Sequence, residues 1–264
     1  MYRQHFGITG CPLDKGNKAL FDDGQLAPLK ERFNWLLTSP GIGLLTADVG
    51  VGKTAALRQL TSDLNPHRYQ VIYTQDTDCS RRDLYTSLAL GLSLEPAYRR
   101  TQLWRDIKAR VLTLADNKQV QIVWIIDEAQ NLPSEFYHDF PAFLNFAFDS
   151  RELMTVWLVG LPNLLQVVDR VANAALSSRV HVRVSLSPVV EVERFRALIE
   201  HGFKAVGCQQ TLLSDSGFEI LRQASGGKPR QTGQILKVAL QLAVPKGLNH
   251  LPDELIEAAV EILR

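Results

Sequence analysis

Eight consecutive residues, Ala47-Asp48-Val49-Gly50-Val51-Gly52-Lys53-Thr54, combine two glycines, a lysine and a hydroxyl in an order suited to phosphate chemistry. The backbone N–H groups of Val49 to Thr54 can point into one concavity, with the positive end of the following helix behind them. Lys53 adds a full positive charge for terminal phosphates, and the Thr54 hydroxyl can ligate Mg²⁺. Asp48, Val49, Gly50, Val51, Gly52, Lys53 and Thr54 are therefore the candidate nucleotide-binding residues. The plain alternative is a glycine-bearing turn between a strand and a helix. Ala47 stands where glycine is more usual, which is tolerable if its φ is negative.

A second constellation, Asp127-Glu128, ends the run Gln121-Ile122-Val123-Trp124-Ile125-Ile126. A strand ending in two carboxylates is by itself a weak signal. Paired with the cradle upstream, Asp127 suits a Mg²⁺ shell and Glu128 a general base or water-orienting group for attack on a γ-phosphate.

The elements that must hold these residues follow from apolar spacing. Ile42 to Thr46 precedes the cradle as a buried strand, and Ala55 to about Leu64 follows it as a helix. Tyr69–Thr74, Gln121–Ile126 and Leu153–Val159 read as further strands; an apolar run without alternation marks a strand buried on both faces of a parallel sheet. Val180–Leu186 alternates and reads as a strand at an edge. Helices are expected over Gln25–Leu37, after a cap at Asp78 or Ser80, over Thr101–Ala115, and around Phe136, Phe140, Phe143 and Phe146. In such a sheet, ligands sit at the carboxyl ends of the strands.

From Ser187 the strand pattern stops, and helices are suggested at about 189–206, 214–225, 230–244 and 252–264. The expected organisation is an N-terminal arm at 1–25, an α/β core at 26–187 and a small all-helical lid at 188–264. The arm either packs on the core or lines the base end of the nucleotide site.

Composition constrains the reading without deciding it. The chain has 264 residues and a net charge of +1, so any basic surface must be local. Three distant cysteines without a Cys-x-x-Cys speak against a disulfide framework or zinc cluster and favour reduced thiols in the cytoplasm. No run approaches the length of a membrane span, and the first residues lack a signal-peptide core.

These landmarks together resemble the AAA+ ATPases, and more narrowly the group of ExeA-type ATPases and the transposon ATP-binding subunits of the TniB and TnsC kind. The resemblance rests on Tyr2-x-x-x-Phe6-Gly7 with Pro12, the cradle, Ile125-Ile126-Asp127-Glu128-Ala129-Gln130-Asn131-Leu132, Leu158-Val159-Gly160-x-Pro162, and Gly227-x-Pro229-Arg230. It implies a P-loop NTPase core with helices on both faces of a parallel sheet, ATP and Mg²⁺ as ligands, and a homo-oligomeric ring or filament. It implies that Arg230 reaches the γ-phosphate in cis. It also implies an arginine finger acting on a neighbouring subunit: Arg179, with Arg183 and Arg170 as rivals. The polar residue such proteins often carry before the finger is missing from Val159-Gly160-Leu161, so slow or partner-stimulated hydrolysis is expected.

The expected function is ATP-dependent assembly on duplex DNA as a transposase-recruiting helper in DNA transposition. Core and lid without a membrane segment or peptidoglycan-binding extension favour that expectation over a secretion-assembly ATPase. An ATP-gated protein scaffold is the other alternative. The DNA-contact candidates are Arg81, Arg82, Tyr98, Arg99 and Arg100, whose plain reading is a solvated helix end. Arginines at a helix N-terminus oppose its dipole, which makes a phosphate partner more attractive there.

Overall fold

The structure is a computed structural model that describes residues 2–14, 16 and 20–264. Met1, Lys15 and residues 17–19 of the expected arm lie outside the described residues. The described chain divides into two compact units, each built around its own apolar cluster.

The first is an α/β layer structure formed by residues 27–47 and 57–186. Its five strands are β1 (Ile42–Ala47), β2 (Tyr69–Thr74), β3 (Gln121–Ile126), β4 (Met154–Gly160) and β5 (Val180–Leu186). They pair in parallel in the order β2-β3-β4-β1-β5. Every residue of β1 and β4 is buried, as a strand covered on both faces requires. In β5 only Val182 and Val184 are buried, so its alternation reports a one-faced strand at the sheet edge.

Register separates the two faces. Trp124 pairs with Val156, and Ile125 with Trp157, so the two tryptophans point to opposite sides. Trp157 stacks on Phe33 of the helix Leu26–Thr38 at 5.7 Å between centroids. Trp124 meets Phe136 and Phe140 of the helix Ser134–Leu144 at 6.5 and 5.9 Å. Tyr85 of the helix Arg81–Gly91 and Leu103 and Ile107 of the helix Arg100–Lys118 complete that layer. Ser80 caps the helix Arg81–Gly91 in a reciprocal box with Asp83. Phe146, expected on the aromatic helix face, lies beyond the helix end at Leu144. It stays buried as a member of the α/β core cluster, and its backbone bridges to Arg151.

The second unit gathers residues 187–264, the segment 48–56 and the N-terminal arm. Its helices are Val192–Ala205, Asp215–Ser225, Pro229–Ala243 and Asp253–Leu263. The first begins at Val192 rather than 189, since the Val189 N–H is engaged with the Gly227 carbonyl at 2.9 Å. Phe195, Ile199, Leu221, Leu236, Leu240 and Ile256 form its centre. The arm packs here: Ile8 joins this cluster, Thr9 N–H donates to Val206 O at 2.9 Å, and Tyr2, Phe6 and Phe21 lie against it. The apolar surface that these helices leave is covered by Ile8, Phe6 and Leu13.

Candidate functional site

The cradle residues belong to the helical unit. Gly50 and Gly52 take φ of +84° and +121°, a region open to glycine and strained for other residues. The chain turns sharply between Asp48 and Lys53 and enters the helix Lys53–Ser62 at the lysine itself. Lys53 is buried and its Nζ donates to the Asp48 carbonyl at 3.2 Å, a bond that folds the side chain back along the loop. Val49 and Thr54 are exposed.

The first turn of the helix Pro229–Ala243 meets this loop. Pro229 is its first residue, where a missing N–H is harmless. The next N–H, on Arg230, donates to the Gly50 carbonyl at 3.2 Å. Lys228 Nζ stands 3.3 Å from Asp48 Oδ2. Two cationic residues, Lys228 and Arg230, thus flank the loop, and the Arg230 residue is exposed. Of the residues read from sequence, Asp48, Gly50 and Arg230 are brought together directly.

Asp127 and Glu128 follow β3 in the α/β unit. The strand order puts β4 between β3 and β1, so the carboxyl ends of β3 and β1 are about 10 Å apart along one sheet edge. Asp127 is buried; its Oδ2 accepts from the Tyr73 hydroxyl at 2.8 Å and its Oδ1 from the Glu128 N–H at 2.9 Å. Glu128 is exposed and takes a left-handed φ of +52°, with its carbonyl held by Thr77 Oγ1 at 3.0 Å. The strand thus ends with one carboxylate fixed inward and the next turned outward. The Asp127 carboxylate is an oxygen donor of the type that Mg²⁺ prefers. Among the described residues there is no cluster of three His, Cys, Asp or Glu side chains placed to hold a metal alone.

Gln130 was missed by the sequence reading. Its Nε2 donates to Glu128 Oε2 at 2.8 Å, and its Oε1 accepts from the Leu161 N–H at 3.0 Å. The end of β4 lacks a polar side chain of its own, as expected, but a side-chain amide reaches it from the β3 loop. The available signal was its place in the stretch Asp127-Glu128-Ala129-Gln130, two residues after the glutamate.

The arginines divide. Arg179 binds Asp149 Oδ2 at 2.8 Å and the Pro141 carbonyl at 3.1 Å. Arg183 grips Asp169 through two bonds, at 2.9 and 2.7 Å, and Arg170 is exposed. Arg81 and Arg100 converge on Asp139, the latter at 2.5 Å, so part of their charge is neutralised within the chain. Arg82 donates to the Tyr98 carbonyl at 2.9 Å and lies over the Tyr98 ring at 4.9 Å. Tyr98 is 86% exposed, and Arg99 is exposed beside it.

Comparison with known proteins places these features in context. A family model described as an AAA domain matches residues 37–168, half of the chain. General secretion pathway protein A of Aeromonas hydrophila is 27% identical over 257 residues, covering 95% of this chain and 46% of that protein. The chain therefore spans about half the length of that curated relative. Among solved structures, the Aeropyrum pernix ORC2 protein in its ADPNP–ADP complexes matches with a TM-score of 0.70 at 16% identity, over 98% of this chain and 71% of its own. The Aeropyrum pernix ORC1 protein in complex with DNA matches with a TM-score of 0.67 at 14% identity, over 95% and 68%. At such identities the likeness establishes a shared fold: a parallel sheet between helices, followed by a helical region.

Proposed function

The chain belongs to the AAA domain family, and from that premise we propose that it is an ATPase that uses bound ATP to assemble copies of itself on duplex DNA. It acts in the cytoplasm as a transposase-recruiting helper in DNA transposition. Residues 26–187 serve as the nucleotide-binding core, 188–264 as the lid and 1–25 as an arm. The observation that carries the nucleotide reading is the glycine-turned loop Asp48–Thr54, with Lys53 at its end and Arg230 bonded to Gly50.

In this reading, Val49 to Thr54 hold the phosphates through backbone N–H groups, and Lys53 neutralises the terminal ones. Thr54 and Asp127 hold Mg²⁺, which offsets phosphate charge when bound. Glu128 accepts the proton of the water that attacks the γ-phosphorus as the bond to ADP breaks. Arg230 in cis and Arg179 from a neighbouring copy balance the charge on the transferring group. Asp127 and Glu128 suit these roles because Tyr73 and Thr77 fix the orientation of one carboxylate and the backbone of the other.

The DNA reading is supported by the exposed stack of Arg82 on Tyr98 beside Arg99, a surface of cations and an aromatic face. It is supported too by the fold shared with a protein seen in complex with DNA. A gel-shift with nonspecific duplex in ATP, ADP or no nucleotide, across salt, tests it. Salt-sensitive binding that requires ATP is expected; binding indifferent to both would remove DNA from the proposal. A second reading, assembly of a secretion apparatus through a protein partner, is favoured by the secretion-pathway relative aligned over 95% of this chain. Hydrolysis unaffected by DNA is its expected signature.

A further inference from the structure

We propose that Gln130 is a positioning residue for Glu128 and replaces, from the β3 loop, the polar group that β4 does not provide. The inference rests on the reading of Glu128 as general base. Four observations on one unit carry it. The Gln130 amide uses both ends, donating to Glu128 Oε2 at 2.8 Å and accepting from the Leu161 N–H at 3.0 Å. Gly160 makes room for it: a Cβ there would stand 2.3 Å from Gln130 Oε1. Gln130 sits in the short helical turn Ala129–Asn131, closed by Asn131 N–H to Glu128 O at 3.0 Å. Thr77 Oγ1 fixes that same Glu128 carbonyl from the β2 side.

The physical consequence is a bridge. An exposed glutamate loses rotamer freedom only if something holds its carboxylate, and an amide with one bond anchored to backbone is a rigid holder. One carboxylate oxygen is occupied by Gln130, and the other remains to accept a proton. The bridge also links the end of β3 to the end of β4, so displacement of residues 160–161 would move Glu128 with them. A misplacement of the order of 1 Å at a base is enough to slow proton transfer by about 100-fold. The absence of a polar side chain at Val159-Gly160-Leu161 is then a relocation of the group and not a loss.

The test uses the full chain and measures steady-state ATP hydrolysis, together with the affinity for a fluorescent ATP analogue. Gln130→Ala should lower kcat by roughly 10- to 100-fold, with KM and nucleotide affinity within about twofold of wild type. Gln130→Glu keeps the acceptor for Leu161 N–H but replaces the donor with a second carboxylate, and should lose as much. Gly160→Ala should reproduce the defect without touching either functional group, because its methyl displaces the amide. In a Glu128→Gln background, Gln130→Ala should leave the affinity for the ATP analogue where it was, whereas a general packing role would lower that affinity in both backgrounds. Should Glu128→Gln turn over as wild type does, the base reading falls and the bridge with it. If Glu128→Gln is inactive while Gln130→Ala retains wild-type kcat, or exceeds it as release of a brake would, the bridge alone is overturned.

Discussion

The backbone N–H of Arg230 donates to the carbonyl of Gly50 at 3.2 Å, so the first turn of the helix Pro229–Ala243 is fastened to the middle of the phosphate loop. A helix's first N–H groups have no partner within the helix, and here one is satisfied by the loop. Gly50 holds φ at +84°, and a Cβ on it would come 3.1 Å from Arg230 Cβ. Gly50→Ala should therefore cost about 1–3 kcal/mol through backbone strain. It should lower the thermal midpoint by roughly 2–4 °C for each kcal/mol and weaken nucleotide binding. Lys228→Ala, which removes only the half-exposed pair with Asp48, should stay within about 1 kcal/mol of wild type. Scanning both variants with and without ATP checks the contrast; equal, small shifts would mean that the loop tolerates a side chain at Gly50.

Lys53 carries the sharpest prediction for binding. Its ammonium is folded onto the Asp48 carbonyl and is already buried, so a phosphate meets a charge that has lost most of its water. A charge-assisted contact of this type is worth about 1.5–3 kcal/mol, which predicts that Lys53→Ala weakens ATP binding by roughly 10- to 150-fold. Isothermal titration calorimetry measures this directly. Retention of wild-type affinity would remove the assignment of residues 48–54 as the cradle.

Arg179 can serve a neighbour only after leaving its own chain. It is bound to Asp149 and to the Pro141 carbonyl, at the root of a loop where Ala147, Phe148 and Asp149 all have positive φ. An ion pair this exposed holds by about 1 kcal/mol or less, so the transferring phosphate's charge can outcompete it. Asp149→Ala should then leave turnover equal to wild type or higher, while Arg179→Ala lowers it by at least tenfold. Mixing Arg179→Ala with Glu128→Gln subunits should restore part of the activity if the site is shared between chains. Equal losses in Asp149→Ala and Arg179→Ala would identify the arginine as a loop anchor.

How much of this could be read from sequence depends on which interactions are local. β1, β3 and β4 were legible because a strand buried on both faces has no reason to alternate, and β5 because an edge strand does. The loop 48–54 was legible because its glycines, lysine and threonine are contiguous. The packing partner of the arm was not legible, because Ile8 and Phe6 show that they must be covered but not by which helices. Gln130 was legible only as part of the stretch Asp127–Leu132; its role depends on Gly160, and spacing along the chain does not say that an amide and a glycine 30 positions apart will touch. The pairing of Arg81 and Arg100 with Asp139 has the same origin, a helix-to-helix contact that spacing alone does not reveal.

Cys11 gives the helical unit a specific alkaline weakness. The thiol is buried and donates to the Gly233 carbonyl at 3.6 Å. Burial pushes its pKa up from 9.0 to about 11, Asp14 adds to the rise, and Lys237 and Arg3 oppose it. In the unfolded chain the thiol ionises near 9.0, whereas in the folded chain it keeps its proton until about 11. The sign follows: this contribution is complete below pH 9.0 and is lost as the pH rises towards 11. Its size is on the order of 2–3 kcal/mol. Lysines and tyrosines also titrate in that range, so the measurement is a difference. Urea unfolding of wild type and Cys11→Ala from pH 7.5 to 11 should give a constant gap up to about pH 9. Beyond that the gap should shift against wild type. Parallel curves across the whole range would show that the Cys11 thiol ionises without leaving its buried place.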